Sequence, residues 1–156
     1  MVLRGCIVSL GLSFATLAAA PAPPAAVEIA PTKTSIYIGS VTLTMPLFQR
    51  VGARYESSYA ARVFPYFFYN ERGSLVIDFS DDQLSRLAQG ERVDFQGQAH
   101  NEAGELRRIE GHATPTDALS GKIKVRIFVT AKIELIFNTT YRFAPQTPPL
   151  EGARRG

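Results

Sequence analysis

The chain has 156 residues, 46% of them apolar and 20% charged, with a formal net charge of +3. That is enough apolar material for one domain with an ordinary core, and the Lys and Arg residues are too few and too evenly spread to signal nucleic-acid binding. The single cysteine, Cys6, leaves no disulfide framework and no cysteine-based metal site.

Residues 1–20 read as a secretory signal peptide. One positive charge, Arg4, precedes an apolar run over 7–18, and the small residues Ala18, Ala19 and Ala20 follow. The run is too short to span a bilayer. Cleavage anywhere between 18 and 26 leaves a mature chain without cysteine, and Cys6 lies before the apolar run, the wrong side for a lipoprotein anchor. Residues 21–34, rich in Ala and Pro, read as an extended leader. The β-domain is expected over 35–143 and a proline-bearing disordered tail over 144–156.

Within the domain, Ile36 and Ile38 share one parity while Val41, Leu43 and Met45 share the other. The phase slip at Gly39 marks a bulge or a tight bend. Val51, Gly52 and Ala53 read as a bend, and 54–59 as a short strand. Residues 62–69, RVFPYFFY, are apolar on both parities and read as a strand covered on both faces. A hairpin loop is expected over 70–74, with Gly73 at its left-handed position. It places Tyr66 opposite Asp78, a hydroxyl beside a carboxylate.

Ser80-Asp81-Asp82-Gln83 is a capping box with two aspartates at the positive end of the helix dipole. It opens a helix over 81–89 that buries Leu84, Leu87 and Ala88 and stops at Gly90. Residues 92–100 alternate again. A loop over 101–105 pairs Asn101 with Glu105, which sets Asp94 opposite His112 and Phe95 opposite Gly111. Slipping the register by two would face Asp94 with Glu110, a like-charge pair. The segments YNERGSL and HNEAGEL match at four of seven positions, which we read as one turn chemistry used twice.

The clearest signal is 122–143. Ile123, Val125, Ile127, Leu135, Phe137, Tyr141 and Phe143 share one parity, and Lys122, Lys124, Arg126, Glu134 and Arg142 the other. Alternation of this kind is half-buried β-strand. A strand of that length exceeds the usual range of roughly 3–10 residues, so it folds back. The parity argues for an odd loop at Thr130-Ala131-Lys132, which pairs Val129 with Ile133, or for one strongly bent strand.

The expected fold is all-β: an antiparallel barrel or sandwich of seven or eight short strands with one short inserted helix. No catalytic motif occurs, and no cofactor or metal is expected, because His100 and His112 fall near opposite ends of their strand pair without a third ligand. Phe64, Tyr66 and Phe68 are candidate lining for an apolar ligand cavity. Tyr66 with Asp78, and Asp94 with His112, are candidate structural polar pairs. The expected function is an exported, periplasmic or extracellular, binding or structural module whose partner is an apolar small molecule or an envelope component. The alternative is a small outer-membrane β-barrel, suggested by the aromatic end of 122–143; an enzyme with an unrecognised site ranks third.

Overall fold

A computed structural model describes residues 22–144. The expected signal peptide and the tail beyond Ala144 lie outside the described residues. Among the described residues, ten strands and one α-helix occur: β1 (Ala26–Ile29), β2 (Thr32–Ile36), β3 (Gly39–Thr44), β4 (Phe48–Val51), β5 (Arg54–Phe64), β6 (Glu71–Asp78), α1 (Asp81–Ala88), β7 (Val93–Asn101), β8 (Leu106–Pro115), β9 (Ser120–Phe128) and β10 (Glu134–Phe143). A short 3-10 helix spans Phe67–Tyr69. Every pairing is antiparallel.

The ten strands make eight staves of a closed barrel. Pro31 separates β1 from β2, and Pro46 separates β3 from β4. A proline has no N–H to give a ladder, so each of these staves breaks at its proline and continues in a new direction. β4 pairs with the lower part of β5 and β3 with its upper part. The meander then runs β5, β6, β7, β8, β9, β10, and β1 closes the ring against β10, with Val27 opposite Phe143.

This corrects the expected leader. Much of 21–34 is barrel wall, and the domain begins at Ala26 rather than near Ser35. The slip at Gly39 is a tight hairpin in which Ile36 faces Gly39, whose φ is 122°. A Cβ there would sit 1.9 Å from the Phe64 carbonyl oxygen, so only glycine fits.

The expected 62–69 strand and 70–74 loop are also corrected. β5 runs through Phe64 and ends at Pro65, and β6 already begins at Glu71. Eight residue pairs join the two, from Arg54↔Asp78 to Ala61↔Glu71. Gly73 is therefore a strand residue, and the YNERGSL and HNEAGEL segments do not share a turn. The 101–105 loop forms as expected: the Asn101 N–H donates to the Glu105 carbonyl at 3.1 Å. The register beyond it places Asp94 opposite His112 and Phe95 opposite Gly111. The fold-back after Phe128 forms too, with the Val129 N–H donating to the Ile133 carbonyl at 2.9 Å.

The apolar parity of every stave faces inward. Phe137, Ile109 and Val93 are the most completely buried large side chains. One end of the barrel, taken here as the lower, is closed by α1. Its capping box is complete, with the Ser80 hydroxyl accepting from the Gln83 N–H and the Gln83 side chain accepting from the Ser80 N–H. Leu84 and Leu87 enter the core while Ala88 stays exposed. Arg50 Nη2 reaches Asp81 Oδ1 at 2.5 Å and fastens the helix to β4.

Candidate functional site

Inside the barrel, above α1, the inward side chains leave an unfilled space of about 90 Å³ with a wholly apolar lining. Leu43, Met45, Leu75, Ile77, Phe95, Ile109, Val125, Ile127 and Phe137 surround it. Met45, Ile77, Val125 and Ile127 point inward yet remain half-exposed. Interiors normally fill to crystal-like density, so this one is under-packed. Two inward glycines sharpen the staves around it. A Cβ on Gly111 would lie 2.5 Å from the Phe95 ring, and one on Gly121 would lie 2.5 Å from the Tyr141 ring. The aromatic rings take the space that side chains on those strands would need.

Directly above the space, inward positions turn polar. Going up β6, the inward residues are Leu75, Gly73 and Glu71; on β8 they are Ile109 and Arg107. Tyr59 O–H donates to Glu71 Oε1. Asn101 Nδ2 and Arg107 Nη2 donate to Glu71 Oε2 at 3.1 and 3.0 Å. Arg107 also reaches Glu105 Oε2 at 2.5 Å and the Val129 carbonyl at 3.0 Å. Burial pushes the Glu71 carboxyl up, but the hydrogen bonds from Tyr59, Asn101 and Arg107 outweigh it and hold the group below its ordinary value. Burial and the neighbouring carboxylate push the Tyr59 hydroxyl well above its ordinary value. An ionised acid with its oxygens occupied and a phenol that keeps its proton are poorly suited to proton transfer. The cluster braces β5, β6, β7 and β8 across the upper lumen instead.

The wall has one weak seam. β2 has a single ladder partner, β3. Two hydroxyls bridge the seam's lower end: Thr32 Oγ1 donates to the Asn138 carbonyl at 3.0 Å, and Thr139 Oγ1 to the Ala30 carbonyl at 2.7 Å. Above them, among the described residues, no hydrogen bond joins β2 to β10. Ile36 on one side and Leu135 on the other are half-buried, packed against the core.

The candidate residues from sequence fall elsewhere. Phe64 and Phe68 are exposed and Tyr66 is half-buried, all at the upper tip, and none of them lines the space. Tyr66 sits in the loop after Pro65, far along the chain from its expected place opposite Asp78, which instead meets Arg54 at 2.9 Å. Asp94 and His112 are opposite one another as expected, but Asp94 takes Arg92 as its ion-pair partner at 3.7 Å. Burial, with Arg92 and Lys124 nearby, holds the His112 imidazole below its ordinary value against the pull of Asp94.

Asp78, Asp94 and His112 do share one feature, a groove of about 610 Å³ beside α1 that Phe95 and Ile136 also line. Its acids alternate with Arg92, Lys124 and Arg126, so it presents no uniform field to a charged ligand. Among the described residues, no group of three or more His, Cys, Asp or Glu side chains converges as a metal site. The polar cluster around Glu71 escaped sequence reading. Its one signal is Arg107, a charge on the same parity as Ile109 and Ala113.

No protein-family model matches the chain, and no curated protein or solved structure matches it either.

Proposed function

We propose that this chain is an exported module that holds part of a slender apolar molecule, such as an acyl or isoprenoid chain, inside its barrel. The carrying observation is the under-packed, wholly apolar space in the lumen. Pockets for drug-sized ligands measure roughly 300–1,000 Å³, and an apolar cavity of about 150 Å³ accepts benzene. A space of about 90 Å³ is smaller than either, so as it stands it takes only the tip of a narrow chain, and the half-exposed Met45, Ile77, Val125 and Ile127 would turn aside to admit more of it. The seam between β2 and β10 offers the entry, because separating those edges breaks no ladder.

The direction of the alternation favours this reading over a lipid-spanning barrel. The apolar parity of β9 and β10 faces the lumen, while Lys122, Lys124, Arg126 and Arg142 stand exposed on the outer wall. A barrel in lipid needs the reverse.

The test has two parts. Organic extraction of the purified chain followed by mass spectrometry should recover a stoichiometric lipid-like molecule. A fluorescent naphthyl or dansyl acyl probe should then bind the delipidated chain, and Val125→Phe, which fills the space, should weaken that binding at least tenfold with the far-UV spectrum unchanged. A folded Val125→Phe variant that binds the probe as well as the parent would overturn the proposal.

A further inference from the structure

The upper tip carries a second surface, independent of whatever the lumen holds. Tyr37, Ile38, Phe64, Phe67, Phe68 and Tyr69 are all exposed there, each by more than half. They come from the β2–β3 turn, the last residue of β5 and the β5–β6 loop. The aromatics pack on one another, Phe64 and Phe67 in a T-shaped pair with centroids 5.9 Å apart and Phe68 tilted against Tyr69 at 4.5 Å. Contiguous exposed apolar surface of this kind marks an interaction site.

What the tip meets is indicated by the charges one step behind it. Lys33 faces Thr42, and Thr42 faces Arg62, in one row across β2, β3 and β5. Arg72 on β6 faces Ala60, diagonal to Arg62. All three cations are exposed on the outer wall, and none forms an ion pair among the described residues. Arg62 lies two residues below Phe64, about 7 Å along a strand. Of the nearby acids, Glu71 and Glu105 are held by Arg107, which leaves Glu102.

Aromatic residues at headgroup depth, backed by Lys and Arg at phosphate depth, match the layering of a bilayer surface. We infer that the upper tip docks on an anionic phospholipid surface. Phe67 and Phe68 enter the headgroup region, and Lys33, Arg62 and Arg72 meet the phosphates. The barrel axis then stands steeply on the membrane with α1 pointing away.

The chain contains no tryptophan, so a single introduced indole reports depth at one place. Full-length Phe68→Trp should show a blue-shifted emission, quenched by brominated lipid, with vesicles of phosphatidylcholine and phosphatidylglycerol. Leu119→Trp, exposed at the opposite end, should not respond. Adding Arg62→Ala and Arg72→Ala to Phe68→Trp should raise the lipid concentration needed for half-maximal quenching roughly thirtyfold. Pure phosphatidylcholine should bind far more weakly, and added salt should weaken binding to the anionic vesicles. An unquenched indole at position 68 would overturn the inference, as would equal quenching at 119. So would a blue shift that needs no vesicles and grows with protein concentration, which would assign the tip to a second copy of the chain.

Discussion

The two ends of this barrel use the same residue types to opposite purposes. At the lower end Phe79 is buried, its ring 6.1 Å from that of Phe95, Leu84 and Leu87 sit beneath it, and Arg50 ties the helix down. At the upper end Phe64, the last residue of β5, and Phe67 and Phe68, in the loop that begins where Pro65 ends the strand, are presented to solvent. Burial of a large apolar side chain is worth about 1.5–3 kcal/mol, so the lower aromatics contribute to folding and the upper ones contribute little. The difference teaches that aromatic density in a sequence does not locate a core.

The comparison can be broken most easily at its strongest point. Phe137 is 1% exposed, and Phe137→Ala should cost about 3–5 kcal/mol, read as a fall in the urea midpoint. Next comes the polar brace that separates the two ends. Arg107 and Glu71 side chains are only 15% and 24% exposed. Arg107→Met leaves the Glu71 carboxylate without its cation and should cost about 3 kcal/mol. Glu71→Gln should cost less, because Arg107 keeps Glu105.

The same brace predicts an acid limb. The folded state holds the Glu71 pKa below its unfolded value. Its contribution is therefore fully present above the unfolded value of about 4.3 and is lost as pH falls through the folded one. Stability measured against pH in Glu71→Gln should flatten in that window; an unchanged slope would mean the carboxylate is not held. Smaller again is the helix cap: Ser80→Ala should lower stability by about 1 kcal/mol. Smallest is Phe68→Ala, 75% exposed, expected within about 0.5 kcal/mol of the parent. If Phe68→Ala destabilised as much as Phe137→Ala, the tip would be core and the contrast between the ends would collapse.

Local and near-neighbour features were legible in the sequence. The capping box at Ser80 places α1 because every contact it needs lies within four residues. The β7–β8 register follows from avoiding an Asp94–Glu110 pair, and the β9–β10 fold-back follows from conserved parity across an odd loop. What was not legible depended on distant partners. Val27 and Ile29 alternate over too few positions to announce a strand between prolines, and their partners Phe143 and Tyr141 lie at the far end of the domain. Asn70 and Gly73 resembled a turn because turn residues are ambiguous alone. A long β5 offered β6 a full ladder, and Gly73 was absorbed into it beside the His100 carbonyl. The basic row at the tip was invisible for the same reason. Lys33, Arg62 and Arg72 are scattered in the chain and only the sheet aligns them.

The pairing of β1 with β10 also sets a schedule. Of the described strands, the first to be synthesised waits for the last, since Val27 has no ladder partner on that side until Phe143 has been made. Hairpins from β5 to β10 can zip between sequence neighbours, but the ring cannot shut until β10 has been made. A ribosome stalled short of Phe143, or a protease that clips there, would leave a curled sheet with two open edges. Such edges recruit other chains. The interval before closure is thus the moment in this molecule's life when it is most exposed to aggregation and most in need of a chaperone.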